Sequence, residues 1–236
     1  MNKNQLVEIR NLVKSYNMGA VSNQVLKGVT LTIQAGEIVA IMGQSGSGKS
    51  TLLNLIGALD SPDKGLISIG NDKVSSMNRE DRTTFRRKNI GFVFQDFNLV
   101  ETLNVYENIC MPLELNKMII DDLSIDEMLK ALNIEDKKFA YPSQLSGGEQ
   151  QRVAIIRALI SNPKLVLADE PTGSLDSINS HEVISLLRDL CHGKKQTTLI
   201  VTHDKEIAML CDRIIKIENG LVIGGGSSGK TIIETI

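Results

Sequence analysis

The segment that most constrains the fold is a glycine-rich loop at residues 43–50, Gly-Gln-Ser-Gly-Ser-Gly-Lys-Ser. It follows a β-branched, apolar run over 37–42 and leads into a helical pattern over 49–59. Glycines allow successive backbone N–H groups to turn inward around phosphate oxygens, and the dipole of the helix adds to the attraction. Lys49 supplies a positive charge, and the hydroxyl of Ser50 can bind Mg²⁺. The pattern therefore predicts a strand–loop–helix unit that holds the phosphates of a nucleotide.

Further β-rich runs alternate with helical patterns along the chain. The run over 165–170 is continuously apolar before it ends in two acids, as expected of a buried parallel strand whose carboxyl end carries chemistry. The predicted strands are Val25–Ile33, Glu37–Gly43, Ile90–Gln95, Leu165–Glu170 and Thr197–His203. Strands that alternate with helices favour an α/β fold with a mainly parallel sheet.

The middle of the chain has a different pattern. From about Asp96 to Asn162 it is mostly helical, which predicts a helical lobe inserted between two core strands. Ser124–Glu127 and Ser146–Glu149 both have the Ser-x-x-Glu spacing of a capping box, so each is expected to begin a helix. The second of these helices should run to about Ile160.

The carboxyl-terminal residues contain a second match to the phosphate-loop pattern, at 224–231. Only five residues follow it, over 232–236, which is too short for the helix that such a site needs. We therefore expect one nucleotide-binding domain over 1–223 and a flexible Gly/Ser-rich tail over 224–236 that binds no phosphate.

Composition excludes several classes of protein. The 236 residues carry a formal net charge of −2, so no overall positive field draws the chain to nucleic acid. No stretch approaches the roughly 18 continuous apolar residues of a membrane span, so any membrane-spanning part should be another polypeptide. Cys110, Cys191 and Cys211 stand apart with no metal-ligand spacing, which favours reduced thiols in a cytosolic protein.

Two further segments carry groups suited to nucleotide chemistry. Asp169 at the end of a strand can hold Mg²⁺ through water, and the adjacent Glu170 can act as a general base. The alternative is two solvent-facing acids at a strand-to-turn junction. Ser146 followed by two glycines at a helix start would form a second anion site. The alternative there is an ordinary capped helix, although capping alone does not explain two consecutive glycines.

Taken in order, these motifs resemble the nucleotide-binding subunit of ATP-binding cassette (ABC) transporters over essentially residues 6–223. The resemblance implies a P-loop NTPase core with a mainly parallel sheet, an antiparallel β subdomain and an inserted helical lobe. It is closest to the bacterial lipoprotein-release, macrolide-export and antimicrobial-peptide-resistance ATPases, through tracts such as 90–99 and 167–176. The six motifs are the phosphate loop 43–51, Gln95 of the Q-loop, the signature Leu145–Gln150, the Walker B strand 165–170, the D-loop Ser174–Asp176 and the switch histidine His203.

The resemblance also implies a role for each residue. Tyr16 stands where the family has an aromatic that stacks on adenine, although a core tyrosine at a strand end is the alternative. The ATP-binding residues would be Tyr16, Gly43, Gln44, Ser45, Gly46, Ser47, Gly48, Lys49, Ser50, Thr51, Ser146, Gly147, Gly148 and Asp176. Those near Mg²⁺ would be Ser50, Gln95 and Asp169, and the catalytic residues would be Lys49, Gln95, Glu170 and His203. His181 and His192 match nothing in the family and are expected on the surface.

The family pattern implies a head-to-tail dimer, in which Ser146, Gly147 and Gly148 of one chain close over ATP bound at Lys49 of the other. The partner could be a second copy or a different cassette. The expected function is an ATP hydrolase at the cytoplasmic face of the membrane, peripheral to a permease on separate chains and serving export or release of a peptide, lipid or drug-like substrate. The alternatives are a cell-division type of mechanical regulator and a cassette acting on ribosomes or DNA, which fits worst.

The helical lobe should also contact the permease. Segments 96–100 and 105–115 are expected to border a groove that receives a short cytoplasmic helix of that partner. The motive is a set of apolar residues beside Gln95 that an isolated subunit should leave partly exposed: Phe97, Leu99, Val105 and Met111. The alternative is that all four pack in the core of the lobe itself.

Overall fold

A computed structural model describes residues 4–18 and 21–223 of the chain. The strands in these ranges are β1 (Gln5–Met18), β2 (Val21–Gln34), β3 (Ile38–Met42), β4 (Lys64–Ile69), β5 (Asp72–Lys73), β6 (Ile90–Phe94), β7 (Leu165–Asp169), β8 (Thr197–Val201), β9 (Arg213–Glu218) and β10 (Leu221–Ile223). The α-helices are α1 (Lys49–Ile56), α2 (Arg79–Asn89), α3 (Val105–Leu115), α4 (Asp122–Ala131), α5 (Gly147–Leu159), α6 (Ser177–Lys194) and α7 (Lys205–Met209). Single 3₁₀ turns occur at Val74–Ser76, Glu135–Lys137 and Pro142–Gln144.

The strands form two sheets. The larger has the order β10-β9-β3-β8-β7-β6, parallel except for the antiparallel edge strand β10. The smaller sheet, β2-β1-β4-β5, is antiparallel throughout. This confirms the predicted α/β class with a mainly parallel sheet and an antiparallel subdomain. None of the helices in the described ranges is both long enough and apolar enough to span a membrane.

Both faces of the parallel sheet are covered, which explains its continuously apolar strands. In β7, Leu165 and Leu167 pack in one core with α1 and the antiparallel sheet. The alternate residues Val166 and Ala168 pack in a second core, with α3 to α6. The sheet is therefore the middle layer of the fold, and it holds the ends of its strands at fixed positions.

The register of the sheet brings the carboxyl ends of four strands to one edge. Phe94 of β6 pairs with Asp169 of β7, Asp169 pairs with Val201 of β8, and Val201 pairs with Ile41 of β3. Ligands of open parallel sheets bind at such an edge, where the loops after the strands meet. Gln95, Glu170, His203 and the glycine-rich loop therefore emerge side by side.

Only helices and turns lie between β6 and β7, and the two capping boxes predicted there have different outcomes. Ser146 is the N-cap of α5: its Oγ accepts the N–H of Glu149 at 3.3 Å, and Glu149 Oε2 accepts the N–H of Ser146 at 2.7 Å. The box at Ser124 is wrong, because α4 begins at Asp122 and Ser124 lies within its first turn. Asp121 caps that helix instead, by accepting the N–H of Leu123 at 3.2 Å.

Candidate nucleotide-binding site

The glycine-rich loop joins β3 to α1 as predicted, and the structure requires glycine at two of its positions. A Cβ at Gly43 would lie 2.1 Å from the carbonyl oxygen of Ile217 in β9. Gly48 has φ of 103°, and a Cβ there would approach Leu26 Cδ2 to 2.8 Å. Gly48 is also the N-cap of α1 and has no side chain to accept a hydrogen bond, so the first N–H groups of the helix point into the loop. The loop is thus an anion-binding concavity built from main chain.

Lys49 adds a positive charge to this concavity. Its side chain is largely buried, with 9% of the residue exposed. The ammonium group donates hydrogen bonds to the carbonyl oxygens of Gly43 at 2.9 Å and of Gln44 at 3.0 Å. The loop therefore curls around the charge of Lys49, where it can reach a bound phosphate.

Ser50 and Asp169 provide two adjacent oxygens at the start of α1 and the end of β7. Ser50 Oγ donates to Asp169 Oδ1 at 3.2 Å. A hydroxyl and a carboxylate are oxygen ligands of the kind that Mg²⁺ prefers, so Ser50 could bind the ion directly and Asp169 could hold it through water. Burial raises the pKa of Asp169 above its ordinary value, against hydrogen bonding from Ser50, and the charge of Glu170 raises it further. A cation at this position would relieve that cost.

Glu170 and His203 form a contact on the next part of the edge. His203 Nδ1 lies 2.9 Å from Glu170 Oε2, and both residues line the same pocket. Glu170 has φ of 46°, an uncommon backbone conformation for a residue other than glycine, and its N–H donates to the carbonyl oxygen of Val201 at 2.9 Å. Strained backbone of this kind concentrates at functional sites.

The opposite wall of the pocket comes from the antiparallel sheet. Tyr16 near the end of β1 is 39% exposed and pairs across the hairpin with Asn23 of β2. The pocket has a volume of about 820 Å³, within the range of small-molecule sites. Its lining residues are Tyr16, Asn23, Val25, Gly43, Gln44, Ser45, Gly46, Gly48, Lys49, Ser50, Thr51, Glu170 and His203.

Sequence reasoning missed two of these lining residues. Asn23 and Val25 lie on β2, which the strand pattern predicts from position 25 onward but assigns no role. Asn23 could have been identified from its pairing with Tyr16 across the hairpin, but that pairing is known only when the register of the two strands is known. Ser47, which the resemblance places among the ATP-binding residues, does not line this pocket; it lines a small neighbouring cleft with residues 44–46, Glu218 and Asn219.

Other predicted residues lie away from the pocket. The Gln95 side chain packs beside Gly173, where an added Cβ would come within 2.8 Å of its Cδ. Ser146 is exposed at the start of α5, and Gly147 faces the Phe97 ring and Leu175. Asp176 caps α6 by accepting the N–H of Asn179 at 2.9 Å. Within one chain, the second glycine-containing helix start therefore does not reach the phosphate loop.

Comparisons with known proteins agree with this geometry. The sequence profile of the ABC transporter family matches residues 26–173. The ABC transporter ATP-binding protein YtrE of Bacillus subtilis is 42% identical over 226 residues, covering 93% of this chain and 98% of YtrE. The macrolide export ATP-binding/permease protein MacB of Brucella melitensis is 42% identical over 92% of this chain but only 34% of its own length.

A solved structure of an ATP-binding cassette has the same fold as this chain. The ATP-binding cassette MJ0796, described as a dimer in a post-hydrolysis state bound to ADP and Pi, matches with a TM-score of 0.83 and 43% identity. The match covers 92% of this chain and 96% of that one. With the phosphate loop, the Asp169–Glu170 pair and His203 around one pocket, the chain belongs to the ABC transporter family as an ATP-binding cassette.

Proposed function

We propose that this chain hydrolyses ATP as one half of a cassette dimer at the cytoplasmic face of the membrane, and so drives a permease on separate chains. The observation that carries the proposal is the separation of two glycine-containing helix starts within one chain. The start of α1 forms the pocket, while Ser146 at the start of α5 is exposed outside it. A second chain placed head to tail would bring its own Ser146 to the open side of this pocket. The dimeric state of MJ0796 supports the formation of a cassette dimer.

In this proposal each of these residues has a separate role in the binding or hydrolysis of ATP. Lys49 and the N–H groups of the loop would bind the β- and γ-phosphates, and Tyr16 would stack on the base. Ser50 and Asp169 would hold Mg²⁺, with Gln95 joining them when ATP is bound; the ion would neutralise charge on the phosphate oxygens. His203, 2.9 Å from Glu170, would hold that carboxylate in place and contact the γ-phosphate. Glu170 would then take a proton from the attacking water.

The test uses Glu170→Gln, which removes the base and keeps its size. We expect ATP turnover to fall at least ~100-fold, the usual scale for loss of a general base. The variant should then form a dimer with ATP and Mg²⁺, measured by light scattering, and remain monomeric with ADP. Near-normal phosphate release from this variant would show that Glu170 is not the general base.

A second substitution tests the head-to-tail geometry. In the Glu170→Gln background, Ser146→Arg should abolish the dimer while ATP binding by the monomer is retained, because the added bulk lies across the interface. Ser76→Arg, at an exposed serine of the antiparallel subdomain, is the matched control and should leave the dimer intact. A Glu170→Gln protein that stays monomeric with ATP would exclude a homodimer and leave pairing with a different cassette.

The permease should bind the helical lobe. Val105 is fully buried in the core of the lobe and is not available to a partner. Phe97, Leu99 and Met111 are only half-buried, although Leu99 also packs against the core of the lobe. The exposed part of these side chains supports a docking surface on the lobe. MacB is named as both an ATP-binding and a permease protein for macrolide export, and the match to this chain covers only 34% of its length. This supports a permease partner and an export substrate over a cell-division regulator.

A further inference from the structure

Tyr16 is held by a charged pair that lies outside the pocket lining. Its hydroxyl donates to Asp60 Oδ2 at 2.9 Å. The ammonium group of Lys14 reaches the same oxygen at 2.8 Å and also donates to the carbonyl oxygen of Ser61 at 2.7 Å. The Lys14 side chain is only 10% exposed. One carboxylate oxygen thus joins the ring of Tyr16 to a buried cation.

Lys14 also lies over the ring itself, with its Nζ 5.0 Å from the ring centroid. A cation in this position is attracted to the negative face of an aromatic ring. Because Lys14 covers one face of Tyr16, a base could stack only on the opposite face. The hydrogen bond to Asp60 and the contact with Lys14 together fix the tilt of the Tyr16 ring and leave one face free to stack on a base.

Asp60 ties this arrangement to the helix of the phosphate loop. It follows the end of α1 by four residues, and its backbone N–H and that of Leu59 point to the carbonyl oxygen of Asn54 in α1, at 3.4 and 2.9 Å. Burial alone would raise the pKa of Asp60, but hydrogen bonds from Lys14, the Ser61 N–H and Tyr16 lower the pKa below its ordinary value. Asp60 is therefore an anion at neutral pH, and its ion pair with Lys14 connects β1 to the segment that follows α1.

We propose that Lys14 and Asp60 are positioning residues that set the Tyr16 ring at a fixed distance and orientation from the phosphate loop, so that it recognises the base of a nucleotide. This rests on the proposed binding of ATP in the pocket. Neither residue lines the pocket, so their effect passes through Tyr16. They should therefore contribute to affinity for a nucleotide with a base and leave affinity for a bare triphosphate unchanged.

The experiment compares binding of ATP with binding of inorganic tripolyphosphate, both with Mg²⁺, by calorimetry on the full chain. Lys14→Met and Asp60→Asn should weaken ATP binding roughly three- to tenfold, a part of the effect of a whole stacked base, and change tripolyphosphate binding by less than about twofold. Tyr16→Ala should weaken ATP binding more, and Tyr16→Phe, which keeps the ring without the hydroxyl, should weaken it less.

The control is a second ion pair of the same length. Lys164 and Asp72 also lie 2.8 Å apart, at the β5 edge of the antiparallel sheet. Lys164→Met and Asp72→Asn should leave binding of both ligands unchanged. Lys14→Arg, which preserves the charge, should bind ATP more tightly than Lys14→Met.

The decisive measurement repeats Lys14→Met in the Tyr16→Ala background, where it should have no further effect on ATP binding. An additive loss there, an equal loss of tripolyphosphate binding, or ATP affinity unchanged in both single variants would each overturn the positioning role. If the wild-type chain binds tripolyphosphate but prefers it to ATP, the positioning proposal fails while the phosphate site stands. If the wild-type chain binds neither, the proposed function itself fails.

Discussion

At the scale of single residues, the site contains charged groups whose burial costs free energy that a bound nucleotide or metal ion would offset. Lys49 is buried against neutral carbonyl oxygens, and Asp169 is partly buried beside a second acid. Burial of each charge costs free energy; at Asp169 the charge of Lys49 offsets only part of that cost, and a phosphate or a metal ion would offset more. Nucleotide and metal should therefore stabilise the folded chain through these two residues.

Asp169→Asn tests this cost directly. Because burial raises the pKa of Asp169, ionising its carboxyl group costs more free energy in the folded chain than in the unfolded chain. The variant without nucleotide should therefore unfold at a temperature roughly 1–3 °C above that of the wild type at pH 7, on the usual scale for a chain of this size.

The pH dependence of this difference has a defined sign. As pH falls through the raised folded pKa, the wild type binds its proton first in the folded state and gains stability relative to the variant. The gain is complete below the ordinary value of 3.8. Thermal melts of both proteins between pH 7 and pH 4 would measure it. A variant that is less stable at pH 7 and stays so at lower pH would show that hydrogen bonding from Ser50 outweighs burial.

At the scale of elements, α5 is coupled to the segment that follows β6. Arg157 of α5 is 9% exposed and donates to the carbonyl oxygens of Phe97 at 2.7 Å and Asn98 at 2.5 Å. Phe97 and Asn98 both have positive φ, 54° and 51°, a conformation that costs energy for each. Burial lowers the pKa of Arg157, and its two charge-assisted bonds offset that loss of solvation. The helix thus holds the strained segment beside Gln95 in place.

Arg157→Met should destabilise the fold by about 2–4 kcal/mol, because the carbonyl groups of Phe97 and Asn98 both lose a charged hydrogen-bond donor. On the scale of this chain that lowers the melting temperature by roughly 5–10 °C. Arg188→Met, at a more exposed arginine paired with its neighbour Asp189, is the control and should change it by less than about 2 °C. Equal melting temperatures for the Arg157 variant and the wild type would show that the strained segment holds its shape unaided.

At the scale of the whole molecule, the pocket and the helical lobe both leave surfaces that a partner could cover. Ser146 at the start of α5 is exposed, and the lobe keeps the half-buried apolar residues Phe97 and Leu99 close to Gln95 in sequence. Both features are explained if the chain works between a second cassette and a membrane partner. Binding of ATP would then close the dimer and move the lobe together with whatever is bound to it.

Leu99→Glu and Met111→Glu test the surface for the membrane partner. Each should weaken recovery of the permease with the cassette and uncouple transport, while ATP turnover by the isolated subunit stays within about twofold of the wild type, because neither residue lines the pocket. Leu221→Glu, at an exposed leucine of the opposite sheet edge, should have no effect. Normal recovery and transport by both lobe variants would move the docking surface elsewhere, and the absence of any membrane partner would contradict the transporter proposal.

Local motifs determined much of this protein from the sequence alone. The phosphate loop, the acids after β7 and the cap at Ser146 were predictable, because each depends on a few consecutive residues whose backbone chemistry is fixed by glycine, by a strand end or by a capping side chain. The failure at Ser124 has the same origin: the spacing fits a capping box, but Asp121 three residues earlier already caps the helix. A short pattern does not show which of two neighbouring caps is used.

Only the tertiary structure decided what depends on residues distant in sequence. The strand β1 was not predicted, although Tyr16 near its carboxyl end lines the pocket. Asn23 lies at the pocket because of the register of a hairpin with bulges. The ion pair of Lys14 and Asp60 joins residues 46 positions apart in two different layers. The position of Gln95 beside Gly173, and of Ser146 away from the loop, follows from how the helical lobe packs on the sheet. Such contacts depend on how the whole core packs, and the local periodicity of hydrophobic residues does not predict that packing.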